Sequence, residues 1–169
     1  MNRIVIIGCG GAGKSTLARQ LGQKLQLPVV HLDALFWKPG WVERDREEFD
    51  ALLARELEKE KWILDGNFSR TMSQRLARCD TVIYLDYSRF VCLLGVVKRV
   101  VTNYGKVRPD MGEGCPERID PEFFKWVWQY NGKNRQRNYG FLNQADHAKT
   151  YAFKNRRQLK KFLRSLEHT

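Results

Sequence analysis

Eight consecutive residues, Gly8 to Ser15, match the pattern G-x-x-x-x-G-K-[ST] without interruption. Glycines in such a loop let the backbone curl around an anion, so that successive N–H groups point inward. Lys14 can reach the β- and γ-phosphates of a nucleotide, and the Ser15 hydroxyl can bind Mg²⁺. We therefore predict that the residues binding a nucleoside triphosphate are Gly8, Cys9, Gly10, Gly11, Ala12, Gly13, Lys14, Ser15 and Thr16.

The residues on both sides of this loop predict the elements that must position it. Arg3 to Ile7 form a short apolar stretch typical of a buried parallel strand. After the loop, Leu17, Leu21 and Leu25 recur at helical spacing, and Pro28 ends the segment. A strand, a glycine turn and a helix are the context that a phosphate-binding loop requires, because the helix adds its positive end to the site.

The rest of the chain continues the alternation of strands and helices. Further strands are predicted at 29–32, 62–64, 81–85 and around 150–153, with amphipathic helices between them. We predict an α/β fold of three layers, in which helices cover both faces of a five-stranded parallel sheet. Asp33, Asp65 and Asp86 each follow a predicted strand, and ligands of such sheets bind at the carboxyl ends of the strands.

Local signals indicate where helices begin and where the chain leaves regular structure. Ser88, Asp120 before Pro121, and Asn155 are predicted helix caps, and Asp45 with Glu48 forms a candidate capping box. Residues 36–41 are predicted to form an aromatic loop. Glycines and prolines interrupt the segment at about 104–120, which predicts a lid inserted into a single domain of residues 1–169.

Composition narrows the function classes. The chain of 169 residues has no apolar stretch long enough to span a membrane, and its four cysteines form no C-x-x-C pair, so we expect a cytoplasmic protein. The formal charge of +11 is uneven: residues 1–84 hold 13 Lys and Arg against 11 Asp and Glu, and residues 85–169 hold 17 against 8. This excess fits a nucleic-acid surface, arginines that bind small anionic substrates, or plain surface charge.

Several motifs in order along the chain resemble the DNA topology modulation proteins, a family similar to adenylate kinase and shikimate kinase. They are the phosphate-binding loop, His31-Leu32-Asp33, Ile63-Leu64-Asp65-Gly66-Asn67, and the segment from Arg108-Pro109-Asp110 through Cys115-Pro116-Glu117. The resemblance covers essentially the whole chain. It implies a small P-loop kinase fold with a core sheet, an acceptor-binding region and a lid, using ATP and Mg²⁺.

The same resemblance suggests roles for individual residues. Asp33 would accept the proton of an acceptor hydroxyl or bind the acceptor, although a helix cap explains it equally well. Asp65 would hold Mg²⁺ with Ser15, or orient the acceptor. Arg108 would be carried toward the phosphates by the lid, with Arg99 and Arg135 on the helices to either side.

The loop after the last strand would contact the base, with Asn155 capping the following helix. We therefore predict a kinase that transfers the γ-phosphoryl group of ATP to a small acceptor. The alternative hypothesis is a nucleotide-dependent regulator that binds DNA. The sequence leaves open the acceptor, the base preference and the oligomeric state.

Overall fold

The computed structural model describes residues 1–166, so the last three residues of the predicted domain lie outside the described part. Seven strands are described: β1 (Arg3–Gly8), β2 (Val29–His31), β3 (Trp37–Lys38), β4 (Val42–Glu43), β5 (Trp62–Asp65), β6 (Thr81–Leu85) and β7 (Lys149–Phe153). The helices are α1 (Lys14–Leu25), α2 (Leu32–Phe36), α3 (Arg46–Glu58), α4 (Met72–Arg78), α5 (Arg89–Asn103), α6 (Pro121–Gln144) and α7 (Arg156–Ser165). A 3-10 turn at Ser69–Thr71 precedes α4.

Five strands form one parallel sheet in the order β2-β5-β1-β6-β7. β1 lies at its centre, and residues 4–7 are fully buried because helices cover both faces. One core cluster joins the sheet to α1, α5 and α7, and the other joins it to α3 and α4. The predicted three-layer α/β fold with a five-stranded parallel sheet is confirmed.

Two local predictions are wrong in the region that follows β2. The strand ends at His31, and Leu32 starts a one-turn helix, so Asp33 lies in the first turn of α2 rather than at a strand end. The predicted aromatic loop contains a two-stranded hairpin, in which β3 pairs antiparallel with β4. Leu32 is fully buried beneath Gly66, and this contact explains why the chain turns there.

Three of the four predicted helix N-caps are present in the structure. Ser88, Asp120 and Asn155 each accept a hydrogen bond from a backbone N–H of the first turn that follows, which confirms these three caps. Asp45 occupies the cap position of α3, but its side chain makes no capping hydrogen bond. Glu48 instead binds Lys38 of the hairpin at 2.8 Å, so the predicted capping box is wrong.

The segment at 104–120 connects α5 to α6 and rests on the β3–β4 hairpin. Two isolated bridges, Tyr104 with Glu117 and Val107 with Pro116, fold the segment back on itself. The Gly40 N–H donates to the Gly114 carbonyl at 2.8 Å. Within residues 1–166, no helix combines the length and apolar character needed to cross a bilayer.

Candidate active site

The phosphate-binding loop joins β1 to α1 as the pattern predicts. Gly11 and Gly13 adopt φ values of 76° and 96°, a left-handed conformation that glycine adopts without strain. α1 starts at Lys14 with no side-chain cap and no acidic residue in its first turn. The N–H groups of that turn have no partner within the helix, so they are free to bind an anion, and the helix dipole favours it.

Two helices pack against the back of this loop so closely that no side chain would fit. A Cβ atom on Gly10 would lie 2.6 Å from Cζ of Phe123 in α6, and one on Gly11 would lie 2.1 Å from the Cys92 carbonyl oxygen in α5. On the other side of this contact, a Cβ atom on Gly95 would lie 2.1 Å from the Gly11 carbonyl oxygen. The shape of the loop therefore depends on α5 and α6.

Asn67 fixes the entry to the loop. Its Oδ1 accepts from the Gly8 N–H at 3.1 Å, and its Nδ2 donates to the Gly8 carbonyl at 2.9 Å. Arg75, which is fully buried, holds the Asn67 segment in turn by donating to the carbonyls of Gly66, Asn67 and Phe68. Both backbone polar groups of Gly8 are thus engaged by a side chain from the neighbouring strand end.

Lys14 and Asp33 both line the cleft above the loop. The Lys14 ammonium donates to the Cys9 carbonyl at 3.1 Å, which places it over the loop. The Asp33 carboxylate is open to the cleft, but the surrounding protein removes much of its hydration. This desolvation raises the pKa of Asp33 above its ordinary value, against the opposing charge of Lys14, and nearby Asp65 contributes to the rise.

Asp65, at the end of β5, is buried next to the loop. Its Oδ1 lies 3.0 Å from Nδ1 of His31, and its Oδ2 is buried without a hydrogen-bond partner among the described residues. Burial alone would lower the pKa of His31, but the hydrogen bond to Asp65 and the charge of Asp65 together raise it. A buried carboxylate oxygen without a donor fits a hard cation or its bound water, as the predicted Mg²⁺ role requires.

The two arginines predicted near the lid are held together by one carboxylate. Glu117 is almost fully buried and forms two ion pairs. Its Oε2 lies 2.7 Å from Nε of Arg108 and 3.1 Å from Nε of Arg99. Asp110 binds Arg108 at 2.7 Å and lies 3.7 Å from Arg19 of α1. The Arg99 guanidinium also lies over the Phe123 ring, 5.0 Å from its centroid. Both guanidinium groups are therefore fixed at the wall of the cleft.

These elements enclose a cleft of about 920 Å³ above the phosphate-binding loop. Most of the predicted site residues line it: Gly10, Gly11, Ala12, Gly13, Lys14, Ser15, Thr16, Asp33, Arg99 and Arg108. Gly8, Cys9 and Asp65 do not line the cleft, although Gly10 and Gly66, which follow them in the chain, do. Further lining residues that we did not predict include Arg19, Asn67, Lys98, Asp110, Arg156 and Lys160.

Two other predicted residues lie away from the cleft lining. Arg135 is paired with Asp86, to whose Oδ2 it donates at 2.7 Å, and Tyr139 donates to the same oxygen at 2.8 Å. Asn155 caps α7 by accepting from the Gln158 N–H at 3.0 Å. A catalytic role for Arg135 and a nucleotide contact for Asn155 stay predictions.

Asp110, Glu117 and Asn67 belong to motifs noted in the sequence. Apart from the Arg108–Asp110 pair, whose members are two residues apart, their partners are distant in the chain. No local signal assigns Glu117 to Arg99 and Arg108, because the contact joins α5 to the far end of the 104–120 segment. For Lys98, one feature of the sequence indicated a place in the cleft. Lys98 adjoins Arg99 on a helix predicted to border the site.

Comparison with known proteins supports the fold. No protein-family model matches the chain, and no curated protein matches it. Shikimate kinase from Bacteroides thetaiotaomicron is 23% identical, with a TM-score of 0.59, and the match covers 99% of this chain and 97% of that one. Shikimate kinase from Acinetobacter baumannii in complex with shikimate is 14% identical, with a TM-score of 0.57, and the match covers 99% and 94%. The chain thus has the shikimate kinase-like P-loop fold.

Proposed function

We propose that the chain is a phosphotransferase that uses ATP and Mg²⁺ and transfers the γ-phosphoryl group to a small acceptor, such as a nucleotide, a nucleoside or another hydroxyl compound. The observation that carries the proposal is that Lys14, Asp33 and Arg108 line one cleft above an uncapped helix N-terminus. The fold shared with two shikimate kinases supports it. On its motifs, we further propose that the chain belongs to the DNA topology modulation proteins and acts in the cytoplasm.

In this proposal the cleft positions the reactants and supplies positive charge, which is most of what phosphoryl transfer needs. The loop amides and Lys14 bind the phosphates. Arg108 and Arg99 line the same cleft, and their ion pairs with Glu117 fix their orientation. An arginine placed near the transferring phosphoryl group raises the rate by about 10³–10⁵-fold in related chemistry.

Asp33 is the proposed general base. It accepts the proton of the acceptor hydroxyl as the new O–P bond forms, and its raised pKa makes it a better base than an ordinary aspartate. Ser15 and Asp65 are the residues that would hold Mg²⁺, the latter through its free Oδ2. When bound, Mg²⁺ neutralises negative charge on the β- and γ-phosphates.

The proposed lid is the 104–120 segment, because it carries Arg108 and its tip rests on the β3–β4 hairpin. The Cys115 thiol donates to the Lys38 carbonyl at 3.2 Å, and the Trp41 indole donates to the Pro116 carbonyl at 3.2 Å. Both hydrogen bonds lie at the tip of the segment, which would therefore move together with the hairpin.

The alternative is a nucleotide-dependent regulator that binds DNA. It draws support from α7, where Arg157, Lys161 and Arg164 are exposed. Arg156 and Lys160 of the same helix line the cleft instead, so part of the basic charge serves the phosphate site. Because two of these five basic residues line the cleft, the charge of α7 is not reserved for DNA, and this favours the kinase proposal.

The deciding experiment follows the label from γ-labelled ATP against a panel of nucleotides, nucleosides and small alcohols, with duplex DNA as a separate arm. We expect at least one small acceptor to become labelled, and Lys14→Ala to abolish the labelling. Lys61→Ala is the matched control, because Lys61 is exposed next to the start of β5, at the sheet edge opposite the cleft. If DNA alone accelerates turnover and no small acceptor is labelled, the kinase proposal is wrong.

A further inference from the structure

One face of α5 is apolar and open to solvent. Its inner face, with Cys92, Val96 and Val100, is buried, and Gly95 touches the phosphate-binding loop. The outer face carries Phe90, Leu94, Val97 and Val101, and Tyr104 continues it just beyond the helix; these five residues are 45% to 75% exposed. We call these five residues the α5 stripe.

The area of the stripe exceeds what an isolated monomer usually leaves uncovered. Trp128 of α6 extends it, because its ring is 44% exposed and packs edge-on against Phe90 with centroids 5.6 Å apart. Together the six side chains expose on the order of 700 Å², whereas the largest apolar patch of a monomer is typically about 300–600 Å². Patches of this size mark interaction surfaces.

The spacing of the stripe is that of a helix-pairing seam. Its members are separated by four, three, four and three residues, the pattern with which two helices interlock at a shallow angle. The pattern is also nearly symmetric about Val97. In an antiparallel pair centred there, Phe90 of one copy faces Tyr104 of the other at both ends, and Leu94 faces Val101 between them.

We propose that the α5 stripe is the interface of a homodimer, in which α5 pairs antiparallel with α5 of a second copy. Complete coverage of the two stripes and of both Trp128 rings would bury about 1,400 Å² in total, within the roughly 1,200–2,000 Å² of stable protein interfaces. A two-fold axis at Val97 makes the contact self-complementary and closed, and the antiparallel arrangement opposes the two helix dipoles.

The response to salt distinguishes a second copy on the stripe from an anionic membrane. α5 carries Arg89, Lys98 and Arg99 and no acidic residue. Lys98 adjoins Val97, so the two Lys98 ammonium groups come close together across the axis, and salt screens their repulsion. The affinity of the two copies for each other therefore stays the same or increases as the salt concentration rises, whereas the attraction of the same lysines to anionic lipid decreases.

The pairing has a consequence for the cleft, because both faces of α5 are used. Lys98 and Thr102 line the cleft at the edge of the stripe, and Gly95 abuts the phosphate-binding loop. A second copy would brace the helix that shapes the loop. The dimer itself depends only on the exposed stripe and stands whether or not the chain is a kinase.

Sedimentation equilibrium tests the dimer over protein concentrations up to roughly 100 μM, at low and high salt. We expect a monomer–dimer equilibrium that does not weaken with salt, and at least about a 100-fold higher dissociation constant for Leu94→Glu, because each dimer then buries two carboxylates. Val42→Glu is the matched control, since Val42 is an exposed valine on the hairpin. Circular dichroism checks that both variants fold.

Cysteine cross-linking tests the orientation, because all four native cysteines are buried. A mixture of Phe90→Cys and Tyr104→Cys proteins carrying different tags should form disulfide-linked heterodimers, while neither variant links to itself. A wild-type protein that stays monomeric at all concentrations overturns the proposal. A dimer that Leu94→Glu leaves intact also overturns it, as does disulfide linking of Phe90→Cys to itself. The same holds if the protein stays a monomer and Leu94 serves only to bind phosphatidylserine vesicles.

Discussion

Replacing Gly95 by alanine tests whether α5 sets the shape of the phosphate-binding loop. The new Cβ atom would lie 2.1 Å from the carbonyl oxygen of Gly11 and 2.9 Å from its carbonyl carbon. A Cβ atom essentially never lies closer than 3.0 Å to a heavy atom that is not bonded to it, so the loop and the helix must separate by at least about 1 Å. The loop is the side that moves more easily, because α5 is a regular helix packed on α6.

The expected loss follows from that displacement. Misplacing a binding or reacting group by about 1 Å lowers activity by about 100-fold, which corresponds to about 2.7 kcal/mol. The overpacked contact also destabilises the fold by about 1–3 kcal/mol, less than the total stability of a typical domain. Titration calorimetry with Mg-ATP should therefore show a folded protein whose nucleotide affinity is about 100-fold lower.

Gly132→Ala provides the control for this variant. Gly132 also lies inside a helix, α6, but a Cβ atom there would meet no other atom within 4 Å. Alanine should stabilise that helix by about 0.5–1 kcal/mol and leave Mg-ATP affinity unchanged. If Gly95→Ala binds Mg-ATP as tightly as Gly132→Ala does, α5 does not shape the loop and our reasoning fails.

Three further predictions rest on single side chains. Asp33→Asn should lower transfer by about 10²–10⁴-fold, because the variant has no carboxylate to accept the proton of the acceptor; transfer at the wild-type rate would contradict this. Because the pKa of His31 is raised above 6.5, its pairing with Asp65 stabilises the fold fully below pH 6.5 and less as pH rises through the folded pKa. Urea unfolding of wild type and His31→Gln should converge at high pH, and a constant gap would refute the pairing. Arg75→Met should lower the free energy of unfolding in urea by about 3 kcal/mol, because three backbone carbonyls lose their hydrogen-bond donor. A variant as stable as the wild type would show that Arg75 does not hold the Asn67 segment.

The sheet could be predicted because its strands are short apolar runs separated by strong turn signals. β1, β5 and β6 are buried on both faces, so their interior positions are almost entirely apolar, and the polar side chains of Arg3, Asp65 and Thr81 stand at strand ends. The phosphate-binding loop follows β1, so its sequence pattern identifies the carboxyl ends of the strands, and the cleft lies at those ends. The caps at Ser88, Asp120 and Asn155 depend on neighbouring residues alone, which is why local rules find them.

Errors arise where a tertiary contact overrides the local pattern. Leu32 extends the apolar pattern of Val29 and Val30 past His31, but Leu32 packs under Gly66 and starts α2, so the strand ends early. The hairpin strands β3 and β4 contain two residues each, too few for any periodicity to show. Glu48 was predicted to cap α3 and instead pairs with Lys38, a partner that only the hairpin brings near.

The site could be predicted as far as its motif extends. Lys14, Asp33, Arg99 and Arg108 meet in one cleft, but the carboxylate that fixes two of them, Glu117, lies nine residues or more away from both in sequence. Arg135 resembles a lid arginine by position, yet its guanidinium is engaged by the carboxylate of Asp86. Charge pairing between distant residues leaves no trace in a single sequence, so geometry was needed to find it.

The central claim is that the amides at the start of α1, together with Lys14, bind the phosphates of a nucleotide. Titration calorimetry of wild type and Lys14→Ala with Mg-bound purine and pyrimidine triphosphates tests it most directly. We expect saturable binding of at least one triphosphate to the wild type at one site per chain, and its collapse in Lys14→Ala while the fold survives. Absence of binding for every triphosphate, or equal affinity in Lys14→Ala, would contradict the claim.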